Sequence, residues 1–173
     1  MSAGSAPQPR ARALYTLEER RRRDASPWTL VQGVLAPLQF VAFFVSLCLV
    51  LRYLATGEGL QFATASIVVK TLVLYTIMIT GSIWEKDVFG CYLFARPFFW
   101  EDVVSILVLA LHTAYLIGLF GGALDATRQM WLALAAYASY VVNATQFLLK
   151  LRAARREQQD WSIGTSGAMG YSK

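Results

Sequence analysis

Residues 28–54 read WTLVQGVLAPLQFVAFFVSLCLVLRYL. A helix rises about 1.5 Å per residue, so crossing a hydrocarbon layer about 30 Å thick takes roughly 20 apolar residues. This stretch is long enough. Three further apolar runs match it, at about Phe62 to Trp84, Val103 to Leu124 and Met130 to Leu151. Within lipid only helices and closed barrels satisfy their backbone, and these runs lack the alternation of barrel strands. The expectation is an all-α integral membrane protein with four transmembrane helices in an antiparallel bundle. Composition agrees: the 173 residues are 56% hydrophobic and only 16% charged, against about 45–50% and about 25% in a soluble domain.

The first run is too long for the core of a cleaved signal peptide and has no A-x-A site. Arg20 to Arg23 therefore read as a retention charge for a signal-anchor helix rather than as a twin-arginine signal. Charge also sets the orientation. Arg10, Arg12 and Arg20 to Arg23 precede the first helix, and Lys150, Arg152, Arg155 and Arg156 follow the fourth. The turn at 55–61 has no Lys or Arg and the turn at 121–129 only Arg128. The positive-inside rule predicts both termini in the cytoplasm, with Lys86 and Arg96 on the same side. The reading is a multi-pass membrane protein in contact with lipid. Topology accounts for the net charge of +5, so nothing points to nucleic acid.

Three regions follow: a basic, largely disordered segment at 1–26, a four-helix transmembrane domain at 27–152, and a Gly/Ser-rich flexible cytoplasmic tail at 153–173. LEERRRRD at 17–24 reads as a short amphipathic or surface turn. Ser26-Pro27 reads as a helix start, with Ser as N-cap and Pro in the first turn. Cys48 lies inside a helix and Cys91 in a cytoplasmic loop, so they make no disulfide framework. No spacing in the chain resembles a metal-binding or phosphate-binding motif.

Polar side chains in lipid are costly, and each needs a reason. Gln32, Gln39 and Ser46 form a heptad row on the first helix. The fourth helix carries Ser139, Tyr140, Asn143, Gln146 and Lys150 on one side. The second carries Lys70, Thr71, Tyr75, Thr76 and Thr80. On the third, Glu101, Ser105 and His112 share a face, with Glu101 and His112 roughly 16 Å apart along the axis. Bonds between helices account for most such rows. The ionisable groups ask for more. His112 is the only histidine, and Lys70 could either snorkel outward or meet a carboxylate.

The densest chemistry is at 84–103, WEKDVFGCYLFARPFFWEDV. Glu85, Asp87, Glu101 and Asp102 lie there among Trp, Tyr and Phe. An interfacial aromatic belt with headgroup charges is the plain reading. Against it stands the repeat of Trp-Glu at two helix edges, Trp84-Glu85 and Trp100-Glu101. A helix N-terminus favours the ionised form of Glu101 and Asp102, while like charges and apolar surroundings oppose it. Such a balance can hold one carboxyl protonated beside an ionised one. The residues suggest a cavity open to the cytoplasm, with acids at its rim, aromatic walls, and a His and a Lys deeper in. A flat, lipid-soluble ligand with a polar end would suit it.

The chain also resembles the 3-vinyl bacteriochlorophyllide hydratase family of phototrophic bacteria. The matching stretches are LYTLEERRRRDASPWTLVQGVLAPLQF at 14–40, VVKTLVLYTIMITGSIWEKDVFGCYLFARPFFWEDVVS at 68–105, ALHTAYL at 110–116 and AYASYVVNATQFLLKLR at 136–152. The resemblance implies addition of water to the C-3 vinyl of a chlorophyllide-type tetrapyrrole, giving a 1-hydroxyethyl group in bacteriochlorophyll synthesis. It implies a location in the bacterial inner membrane, cytoplasmic or intracytoplasmic, and no cofactor, and it leaves room for contact with neighbouring enzymes of that synthesis.

Hydrating a vinyl group needs an acid for the terminal carbon, a base for the attacking water, and stabilisation of the cation between those steps. Glu101 is the expected acid or water base, with Glu85 or Asp102 as partner, the roles being open. His112 could ligate the pigment's magnesium, the preferred reading, or hold the water. Lys70, Lys86 or Arg96 could pair with the substrate's propionate. Trp84, Tyr92, Phe98, Phe99 and Trp100 would pack on the macrocycle, and Tyr75, Gln39 and Asn143 complete the expected substrate contacts. The rival reading is a non-enzymatic membrane tetrapyrrole carrier or assembly factor, which would not need the carboxyl cluster. A transporter or haem anchor fits less well, since one His cannot supply bis-His ligation and no paired discontinuous helices are seen.

Overall fold

The structure, a computed structural model, describes residues 14–169, with side chains through residue 156. Arg10, Arg12 and the chain's last four residues lie outside the described residues. The architecture is all-helical: α1 Leu17–Ala25, α2 Pro27–Thr56, α3 Leu60–Phe89, α4 Phe99–Gly121 and α5 Ala126–Met169. Helices α2 to α5 are each long and apolar enough to cross a membrane. Their outer faces expose Val41, Phe44, Phe62, Ile79, Ile117 and Phe120, which is the surface a lipid solvent requires and water would not tolerate.

Helix ends follow local chemistry. The LEERRRRD segment, expected as a turn, is a helix because Thr16 and Glu19 close a reciprocal capping box. Pro27 sits in the first turn of α2, but the Ser26 hydroxyl donates to Asp87 on α3 at 2.9 Å instead of capping its own helix. Helix α3 continues past Trp84 to Phe89 because no breaker intervenes before Gly90, whose φ is 83°. Helix α4 starts at Phe99, a turn earlier than the apolar run suggests, and so takes Glu101 and Asp102 into its first turn. Helix α5 continues to Met169, through the region beyond Arg152 expected as a flexible tail.

Polar pairs fix the register between α2 and α3. Trp84 donates to Thr29 at 2.9 Å, Gln32 to Thr80 at 2.7 Å, and the Ser46 and Ser66 hydroxyls meet at 2.8 Å. As residue numbers rise along α2, their partners fall along α3. The same holds between α4 and α5, where Glu101 meets Lys150, Ser105 meets Asn143 and Tyr115 meets Gln129. Between these two pairs, Phe43, Tyr137 and Tyr140 form the aromatic middle of the core. The inward stripe of α4 is polar for most of its length: Glu101, Asp102, Ser105, His112 and Tyr115 are all buried.

Candidate active site

Three carboxyls converge where α3 ends and α4 begins. Glu85, Glu101 and Asp102 are 5%, 7% and 3% exposed, so none is merely a solvated flanking charge. The segment 90–98 folds over them. Its backbone is held by the acids: Phe94 N–H donates to Asp102 at 2.7 Å and Ala95 N–H to Glu85 at 3.2 Å. Phe94 has φ 61°, a left-handed conformation that costs a bulky side chain energy, and the Asp102 bond holds it there. Those two N–H groups belong to adjacent residues, so Glu85 and Asp102 converge on one point of the segment. Like charges brought together in a buried site favour a state in which one carboxyl carries a proton.

Glu101 is set apart by its partner. The Lys150 ammonium reaches it at 2.6 Å, also donates to the Pro97 carbonyl, and lies over the Phe98 ring at 5.1 Å. One short stretch of chain thus holds two kinds of acid site, a buried carboxyl pair and a carboxylate fixed by a cation.

The expected aromatic wall divides. Phe98 and Trp84 pack into a cluster with Tyr15, Phe89 and Phe147, and Trp84 spends its N–H on Thr29. These two rings are core, not a free surface for a pigment. Tyr92, Phe94, Phe99 and Trp100 are exposed beside the carboxyls, with Trp100 at 69%. The Phe99 ring touches both Phe94 and Trp100. Lys86 lies over Tyr92 and donates to the Gly90 carbonyl, and Arg96 is exposed on the same segment. The carboxyls thus lie beneath that segment rather than at the rim of an open cavity. A cleft of about 200 Å³ lies at the other end, lined by Leu60, Thr64, Gly118, Leu124 and Gln129 among others. It is smaller than the roughly 300–1,000 Å³ usual for small-molecule sites.

His112 and Lys70 are fully buried in mid-bundle and meet each other: Lys70 Nζ lies 2.8 Å from His112 Nε2. His112 Nδ1 bonds the Val108 carbonyl at 2.8 Å and so carries the hydrogen, leaving Nε2 to accept from Lys70. Both ring nitrogens are therefore engaged, and neither is directed at a pigment's magnesium. Lys70 neither snorkels nor meets a carboxylate; its nitrogen lies 4.4 Å from the Tyr140 ring centre and 5.0 Å from that of Tyr137. Tyr75 is spent on Thr113. Gln39 and Asn143 are buried between the His112 level and the carboxyls. The pairing of Lys150 with Glu101 is a contact that sequence reasoning misses. The signal is present, since Asn143, Gln146 and Lys150 recur on one face of α5, but a cation at a helix end reads equally well as topology.

Comparison with known proteins adds to this geometry. The sequence profile of a family described as 2-vinyl bacteriochlorophyllide hydratase matches residues 15–153. The chain is 66% identical over 157 residues to the 2-vinyl bacteriochlorophyllide hydratase of Rhodobacter capsulatus, covering 91% of each chain. It is also 66% identical over 148 residues to the protein of that name from Cereibacter sphaeroides, covering 86% of this chain and 92% of the relative. No solved structure matches.

Proposed function

The chain belongs to the 2-vinyl bacteriochlorophyllide hydratase family, and from that premise we propose how its residues add water to the vinyl group. The 2-vinyl of the family name and the C-3 vinyl are one substituent under two ring numberings. The protein is a hydro-lyase acting on a tetrapyrrole, with water as second substrate, and the family assignment favours it over the pigment carrier.

The Glu85–Asp102 pair is the acid. Its shared proton goes to the terminal vinyl carbon, and positive charge develops on the carbon next to the ring. Glu101, held in place by Lys150, takes a proton from the water whose oxygen bonds to that carbon. One C–H and one C–O bond form, the C=C π bond and one O–H bond break, and the proton gained by Glu101 returns to the adjacent Asp102 pair. The convergence of buried Glu85 and Asp102 on the adjacent N–H groups of Ala95 and Phe94 supports this reading. Acid and base side chains of this kind contribute roughly 10²–10⁴-fold each.

The macrocycle lies on the exposed rings of Tyr92, Phe99 and Trp100, with Lys86 or Arg96 near the propionate. Segment 90–98 must lift for the vinyl to reach the acids. Lys86, Arg96 and Lys150 to Arg156 share this end with Arg20 to Arg23, which supports an antiparallel bundle with both termini in the cytoplasm of an inner membrane. Pigment would pass to and from neighbouring enzymes over the same edge. Asp102→Asn tests the acid. The expected result is loss of hydration by at least about 10²-fold with pigment still bound; full turnover would overturn the assignment.

A further inference from the structure

Between the carboxyls and the Lys70–His112 pair lies a layer of amides that the mechanism above does not use. Gln39 is 2% exposed, and neither atom of its amide has a partner among the described residues. Asn143, 8% exposed, donates to the Ser105 hydroxyl at 2.8 Å, but its carbonyl oxygen is also without a partner among them. So is the side-chain oxygen of Gln146. Orphaned amides are costly anywhere, and lipid offers them nothing.

The register brings these atoms into one path. Between α2 and α5, Ser46 bonds Tyr137 and the Phe43 ring meets Tyr140 at 5.0 Å. One turn further along each helix, Gln39 comes level with Asn143. Gln146 is the next turn of α5, and Lys150, which holds Glu101, is the turn after that. Ser105, bonded to Asn143, is likewise one turn from Glu101 on α4. The orphaned atoms thus step from mid-bundle to the proposed base.

We propose that Gln39, Asn143 and Gln146 form an internal water site that delivers the water consumed in the hydration to Glu101. The ligand is water: unpartnered amide donors and acceptors lie on successive turns between packed helices, and a buried water makes two to four hydrogen bonds to such groups. The placement has a chemical reason. A flat macrocycle seated over the carboxyls shuts them off from bulk water, so the nucleophile must reach Glu101 from beneath. Holding it there also limits the other nucleophiles that meet the cation. The inference rests on Glu101 being the base and extends that reading to a site of its own.

The test uses the full chain in membranes made up in D₂O with chlorophyllide a. Gln39→Met and Asn143→Leu replace the amides by apolar groups of similar size, and Gln146→Leu is a third variant at a less buried position. Each of the first two should lower hydration by about tenfold or more, the worth of a displaced bound water, with pigment affinity unchanged. The vinyl group of recovered pigment should still gain deuterium. The acid still protonates the terminal carbon, and a cation without water gives a proton back. Unchanged hydration in all three variants would overturn the proposal. A parallel fall of hydration and deuterium uptake would overturn it too, since the layer would then serve the acid or the fold. Loss of pigment binding would make it a pigment contact instead. The outcome is separable from the Glu101 assignment: a fully active Glu101→Gln protein sinks that assignment, whereas deuterium uptake without hydration reports water delivery whichever group is the base.

Discussion

Lys150→Met removes the cation from Glu101 and keeps an unbranched stem on α5. The pair is close, at 2.6 Å, with the lysine side chain 24% exposed and the glutamate 9%. Breaking a buried ion pair costs about 3–5 kcal/mol, and an exposed pair is worth at most about 1 kcal/mol. This pair lies between the limits, nearer the buried one, so the loss should be about 2–3 kcal/mol. The Pro97 carbonyl also loses its donor, which loosens the segment over the acids. Unfolding in detergent micelles, followed by helix signal against denaturant, gives the stability; pigment turnover gives the activity. Hydration should fall by about 10²-fold, because an unpaired buried carboxylate no longer serves as a stable anionic base. The double variant Lys150→Met/Glu101→Gln separates the two effects. Removing the stranded charge should recover most of the stability and none of the activity, giving a coupling energy within the range of contacting residues, about 0.5–3 kcal/mol. If Lys150→Met alone unfolds and turns over like the unaltered protein, the ion pair is incidental and the reasoning about Glu101 fails.

His112→Ala should destabilise the bundle by about 1–3 kcal/mol by stranding the Lys70 amine, and Lys70→Met in the same chain should restore most of it. Binding of magnesium and magnesium-free pigment should change alike, and a selective loss for magnesium pigment would reinstate His112 as its ligand. Trp100→Ala, at the exposed ring edge, should weaken pigment binding about tenfold, for part of the roughly 1.5–3 kcal/mol of burying a large apolar side chain, with turnover of bound pigment preserved. Burial pushes the Tyr15 phenol up to about 12, so its neutral form supports the packing of Tyr15 on Phe89 and Phe98. That support is complete below about 10 and is lost as pH rises toward 12; tyrosinate absorbance with normal midpoints throughout would refute it.

The spans are legible in the sequence because lipid imposes length and apolarity on contiguous residues, a signal that needs no knowledge of partners. The acid cluster is legible for the same reason, since Glu85, Glu101 and Asp102 lie within one short stretch. Pairings across helices are not. Lys150 is 49 residues from Glu101, and Lys70 is 42 from His112. Helical periodicity gives each face but not the rotation of one helix against another. A lysine within an apolar run suggests snorkelling or a carboxylate partner, whereas the packing gives Lys70 an imidazole and two tyrosine rings. The fold of segment 90–98 over the acids depends on Phe94 at positive φ, a backbone state that a phenylalanine does not announce. Conversely, Phe98 and Trp84 resemble pigment contacts in the sequence because aromatic residues at a membrane edge serve core and surface equally well.

The most direct test expresses the chain in membranes of a non-phototrophic host and supplies chlorophyllide a in buffer without nucleotide or added metal. Product mass and absorbance are followed for the unaltered chain and for Glu101→Gln. The account predicts a blue-shifted pigment heavier by one water from the unaltered chain, and bound but unchanged pigment from the variant. Equal turnover by both would contradict the carboxyl mechanism, and pigment left unchanged by the unaltered chain would contradict the claim that this protein alone performs the hydration.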